Sequence, residues 1–112
     1  HLRLVCQVRG EWFGNPNAGA DASFSPFDLI AHAAKTRELK AGTLVGTGTI
    51  SNHDKSTGYA CLMEKRLVEQ VEQGAAQAPF LAFGDTVRIE MFDAHGASVF
   101  GAIEQRVERY PR

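Results

Sequence analysis

The sequence has little of most residues whose pattern would announce a chemistry at once. Cysteine occurs twice in 112 residues, tryptophan once and proline four times. Cys6 and Cys61 stand apart in apolar or periodic stretches without a Cys-x-x-Cys spacing, so buried free thiols are expected ahead of a disulfide or a zinc site. No sign of charge prevails. Twelve Lys and Arg against 13 Asp and Glu leave a formal charge of -1, which speaks against a nucleic-acid surface or an anionic membrane as partner. No apolar run reaches the roughly 20 residues that a membrane-spanning helix needs. The first residues alternate charge with hydrophobe and build no secretory core, so a cytoplasmic location is expected. Repeats, low-complexity tracts and interdomain linkers are absent, and 44% hydrophobic composition fits one domain with a modest core. There is also no starting methionine: His1 opens a segment already patterned as a strand, so the 112 residues read as a piece entered in mid-domain.

What is present is a run of short patterned elements. Leu2, Leu4, Cys6 and Val8 alternate with Arg3, Gln7 and Arg9, which predicts a strand; Arg9-Gly10-Glu11 then predicts a hairpin turn into Trp12-Phe13. Asn15 to Asp21 reads as an exposed loop. Ser25-Pro26-Phe27-Asp28 carries an N-cap, a first-turn proline and a capping-box acid, which predicts a helix ending near Arg37. His32 lies off its apolar stripe. A second helix is expected after Tyr59, with Leu67, Val68 and Val71 inward and Gly74 as its stop. The rest predicts β structure: Phe80 to Phe83, then Val87, Ile89 and Met91 opposite Arg88 and Glu90, a turn at Asp93 to Gly96, and a returning strand from Val99 toward Val107.

The centre of the pattern is Gly42-Thr43-Leu44-Val45-Gly46-Thr47-Gly48-Thr49-Ile50-Ser51-Asn52. It predicts a strand passing into a binding loop, since glycines admit a ligand close to the backbone and hydroxyls beside exposed amides can hold a carboxylate. The polar loop His53 to Gly58 follows. Leu39-x-x-Gly42, Gly46-Thr47-Gly48-Thr49, the Gly58 to Glu64 segment and Phe83-Gly84-Asp85-Thr86-Val87-Arg88-Ile89-Glu90 occur in the order found in the carboxyl-terminal part of the fumarylacetoacetate hydrolase family. The chain resembles that family over nearly its whole length. Val8-Arg9-Gly10-Glu11 is similar to the family's strand-to-turn element, although asparagine is commoner there than Arg9.

The resemblance implies an α+β fold, a β-rich mixed roll with one or two short helices, in homodimeric enzymes that hold Mg2+ or Ca2+ through carboxylates and act on small dicarbonyl acids. In the hydrolases of the family a histidine and glutamate pair activates water against a carbonyl, and a carbon-carbon bond breaks. Carried over by position, Thr49 matches the threonine that holds the substrate carboxylate, Gly48 supplies clearance, and Glu64 matches the glutamate paired with the histidine. The spacing from Thr49 to Glu64 has one residue more than the family's, and Glu69 is the nearest competing carboxylate. The family's histidine and metal ligands fall upstream of Leu2. Neither His53 nor His95 is assigned a catalytic part, and Asp54, Asp85 and Asp93 lack the spacing of a hard-cation site.

Two classes of function follow. One is the carboxyl-terminal portion of a metal-dependent hydrolase cleaving fumarylacetoacetate-like or acylpyruvate-like acids of aromatic-compound breakdown, or a relative that decarboxylates, hydrates or isomerises such acids. The other is a non-catalytic β-rich association domain or a truncated chain that only pairs with its complement.

Overall fold

The alternating amino-terminal residues form strand β1, Arg3–Val8, and a two-residue turn sends the chain back as β2, Glu11–Gly14, with Val8 opposite Glu11. In the computed structural model, which describes residues 2–111, Arg9 has φ 57° and Gly10 φ 76°. Two left-handed residues are what a type I′ hairpin turn requires. That conformation costs a non-glycine residue about 1–2 kcal/mol and asparagine less. Arg9 offsets the cost with its side chain. Its Nε donates to Asp85 Oδ2 at 2.9 Å, Nη2 lies 2.8 Å from the same oxygen, and Nη2 also donates to the Phe80 carbonyl at 3.1 Å.

Strand β3, Thr86–Phe92, pairs with the other edge of β1, and β4, Ile103–Arg106, pairs with β3. The order is β2-β1-β3-β4, antiparallel throughout. Register sets Leu4 opposite Met91, Cys6 opposite Ile89 and Val8 opposite Val87, so the two alternating patterns meet on one face. Cys6, at 4% exposure, is the most enclosed apolar residue there, and burial pushes its thiol pKa up. On the other face Arg88 bridges Glu90 and, at 2.7 Å, Glu104.

Helix α1, Pro26–Ala34, begins with the expected capping box: the Asp28 amide donates to Ser25 Oγ, and Asp28 Oδ2 accepts from the Ser25 amide. Helix α2, Leu62–Gln73, stops at Gly74, whose φ of 80° lets the chain turn away. The α+β class expected from the resemblance is the class the structure has. None of the helices among the described residues is long and apolar enough to cross a membrane.

Several expectations need correction. Residues 42–50 form no strand, because the stretch lies off the sheet and has no ladder partner; Leu44 is 97% exposed. Phe80 to Phe83 is irregular, held by the Ala82 amide on Asp85 Oδ2 at 2.8 Å. The returning strand is confined to Ile103–Arg106, preceded by an isolated bridge between Phe92 and Ser98. Helix α1 ends at Ala34, short of Arg37. Leu67 and Val71, expected to face inward on α2, are exposed, since among the described residues no other element packs closely against that helix. The thiols are both free as expected, but Cys61 is only half-buried.

These uncovered residues add up. The Cα radius of gyration is 16.6 Å, against about 13 Å for a compact domain of this length. Accessible surface is 8598 Å², where a compact monomer of 12.2 kDa exposes about 6,100 Å².

Candidate active site

The segment preceding α2 is positioned by two glycines. Gly14, at the end of β2, and Gly58 form an isolated antiparallel bridge, in which a Cβ on Gly14 would stand 2.3 Å from the Tyr59 amide nitrogen and carbonyl oxygen. Gly58 has φ 67° and ψ -148°, a conformation almost restricted to glycine. The crossing is locked by the Asn15 amide on the Thr57 carbonyl at 2.7 Å and the Tyr59 amide on the Phe13 carbonyl at 3.1 Å. Tyr59 packs its ring beside that of Phe13, and Lys65 sits over the Phe13 face. The start of α2 is thereby tied to β2.

Glu64 occupies the third position of this helix, where a glutamate commonly folds back to cap the first turn. Here it reaches outward instead. Ser51 Oγ donates to Glu64 Oε1 at 2.5 Å, so the carboxylate is joined to the end of the Gly-Thr loop. The neighbouring loop residues are anchored elsewhere. Asn52 brackets the Asn17 backbone, its Oδ1 accepting from the Asn17 amide at 2.7 Å and its Nδ2 donating to the Asn17 carbonyl at 3.1 Å. The His53 amide donates to Asp21 Oδ2 at 3.0 Å. Asn17 in turn bridges to Arg3 of β1. Three consecutive residues thus bind the loop end to helix, sheet margin and amino-terminal loop.

Thr49 and Gly48 lie before this anchor, both exposed. Around Gly48 a Cβ would meet nothing within 4 Å, so the loop there is open to an incoming group. The structure therefore connects Glu64 to the loop that carries Gly48 and Thr49, through Ser51. The spacing of residues did not single out Ser51 or Asn52. The only signal for Ser51 in the sequence is the alternation of hydroxyl residues at Thr47, Thr49 and Ser51, which cannot name a partner 13 positions away.

The competing carboxylates are committed. Glu69 Oε2 accepts from the Gln77 and Ala78 amides at 2.7 Å each, and these amides, Ala78 first, hold its carboxyl below the usual range. Asp85 is lowered by the Ala82 amide and then by Arg9. Hydrogen bonding from Ser98, then from Arg88, lowers Glu90. Asp54 caps the 3-10 turn Lys55–Thr57 through Ser56 and is lowered by it, and Asp93 Oδ1 accepts from the His95 and Ala97 amides of its turn. His53 is held through its backbone, and Glu64 takes its hydrogen bond from Ser51. Among the described residues no group of three His, Cys, Asp or Glu side chains converges as a metal ion would need. These donors do not fit a hard divalent cation.

Residues 1–108 match the family model described as fumarylacetoacetate (FAA) hydrolase C-terminal. No curated protein sequence matches the chain.

Proposed function

Because the chain belongs to the fumarylacetoacetate hydrolase family through that carboxyl-terminal domain, we propose that it supplies the carboxylate-binding loop and one proton-handling glutamate to a carbon-carbon bond hydrolase. The family also contains decarboxylases and isomerases. The observation that carries the hydrolase reading is the tether from Ser51 to Glu64, which holds beside an open Gly-Thr loop a carboxylate that, among the described residues, neither caps its helix nor pairs with a basic side chain.

The substrate class is an acylpyruvate-like or fumarylacetoacetate-like acid. Thr49 donates its hydroxyl to the substrate carboxylate, and Gly48 keeps the approach clear. Glu64 Oε1 is taken by Ser51, so Oε2 remains for the imidazole N–H of a histidine lying outside this chain. That bond orients the ring and stabilises its protonated form after it has taken a proton from water. Hydrolysis forms a bond from the water oxygen to the carbonyl carbon, breaks the adjacent carbon-carbon bond, and returns the proton to the departing carbon. The Mg2+ or Ca2+ that the family implies has no ligand set in residues 2–111, and we assign its ligands to segments outside them. The surface excess over a compact monomer, roughly 2,500 Å² by the same scaling, supports reading this chain as part of a larger unit, and a homodimer is the assembly we propose for it.

The test is Glu64→Gln in the whole protein with acetylpyruvate as substrate. Turnover should fall about 100-fold or more, while inhibition by oxalate is unchanged. Hydrolysis at the parental rate would refute the assignment.

A further inference from the structure

We infer that Ser51 is a positioning residue for the Glu64 carboxylate: its hydroxyl fixes which oxygen of Glu64 faces the reaction. The inference rests on the hydrolase reading above and adds a group that neither the family match nor residue spacing assigns. Three observations converge on it. The contact, Oγ to Oε1 at 2.5 Å, lies at the near end of the range for a hydroxyl donating to a carboxylate. It joins two segments that are anchored independently. Ser51 stands next to Asn52, whose amide brackets the Asn17 backbone through two hydrogen bonds, and Glu64 stands on a helix whose lead-in is set by the Gly14 and Gly58 crossing. Neither segment dictates the other's position, so the hydrogen bond between them selects one orientation of the carboxylate. Glu64 also forgoes the capping geometry open to it at the third position of α2, where Cys61 supplies no side-chain cap.

The chemical consequence is directional. A free glutamate in a first helical turn samples several rotamers, and its two oxygens exchange roles. A donor held on Oε1 leaves Oε2 as the acceptor for an N–H arriving from the substrate side, much as an outer hydrogen bond fixes the orientation of a catalytic imidazole. Losing the donor leaves the carboxylate present but unaligned, and a misalignment of about 1 Å is enough to cost a large factor in rate. Ser51 is exposed, so its replacement opens no cavity.

The experiment is a double-mutant cycle in the whole protein with acetylpyruvate, reading kcat and KM separately and checking the unfolding midpoint of each variant. Ser51→Ala should lower kcat about 10- to 100-fold with KM and midpoint unchanged. Ser51→Thr, which keeps the hydroxyl, should return most of the lost rate. Ser51→Ala combined with Glu64→Gln should be no slower than Glu64→Gln alone, because both remove one aligned carboxylate. Parental kcat in Ser51→Ala beside a slow Glu64→Gln would overturn the inference and leave the hydrolase reading standing. A raised KM at constant kcat would also overturn it, since Ser51 would then bind substrate, as would full additivity in the cycle. A parental rate in Glu64→Gln would overturn the hydrolase reading and the inference with it.

Discussion

Replacing Gly58 by alanine tests the crossing that places α2. At Gly58 an added Cβ would stand 2.6 Å from the Phe13 carbonyl oxygen, 2.7 Å from Gly14 Cα and 2.7 Å from Trp12 Cη2. The indole is largely exposed and can swing aside, but the other two atoms are backbone. Relieving them requires the strand end and the 57–59 segment to separate, at the expense of the Asn15-to-Thr57 and Tyr59-to-Phe13 hydrogen bonds. Each such bond contributes about 1 kcal/mol, and holding alanine at φ 67° and ψ -148° costs about 1–3 kcal/mol more. The sum is about 3–5 kcal/mol, a large share of the roughly 5–15 kcal/mol by which domains are stable. Urea unfolding followed by the fluorescence of Trp12, the single tryptophan, measures it directly at a concentration where halving the protein leaves the midpoint unmoved. Gly46→Ala is the control, since its Cβ meets nothing within 4 Å and should change stability by less than about 0.5 kcal/mol. A loss below about 1 kcal/mol in Gly58→Ala would refute the steric argument.

Other perturbations separate function from fold. Gly48→Ala should leave the unfolding midpoint unchanged, because the position is open, yet weaken acetylpyruvate binding in the whole protein; an unchanged KM would remove Gly48 from the substrate's path. Thr49→Val should raise the inhibition constant of oxalate with little change in kcat, and equal inhibition in both proteins would count against the carboxylate cradle. Asp85 has its folded pKa lowered by the Ala82 amide and by Arg9, so the stability it contributes is present above the ordinary aspartate range and lost as pH falls through the depressed value. Asp85→Asn should therefore be less stable than the parent at neutral pH and approach it in acid, and parallel acid unfolding curves would refute this linkage. The 112-residue chain alone should self-associate in sedimentation velocity, with Phe27 at 82%, Val71 at 84% and Phe100 at 82% exposure. A sharp concentration-independent monomer would contradict the uncovered-face reading.

What the sequence made legible was local. Ser25, Pro26 and Asp28 carry the start of α1 in their own side chains, Gly74 carries the end of α2, and Arg9-Gly10 carries the hairpin turn. The alternations of β1 and β3 named the face on which Cys6 and Ile89 meet. What depended on a partner was illegible or misread. The stretch around Leu44 and Val45 has strand-forming residues, but a strand needs a neighbour's backbone groups, and among the described residues no strand pairs with it. Leu67 and Val71 fall at helical spacing for burial without an element to cover them. At the candidate site, Gly48, Thr49 and Glu64 came from ordered motifs, whereas the Ser51 link joining loop to helix is a tertiary contact that no spacing encodes. The same holds for Glu69, whose hydrogen bonds to Gln77 and Ala78 give it a structural task that its place beside Glu64 in sequence did not reveal.

We propose a division of labour in which this chain contributes carboxylate-binding and proton-handling groups to a site whose cation ligands lie outside it. Isothermal titration of the 112-residue chain with magnesium, alone and with oxalate present, tests that division directly. No saturable heat is expected in either titration. Saturable, oxalate-enhanced magnesium binding would contradict that division, and would place a hard-cation site among His53, Asp54 and Glu64.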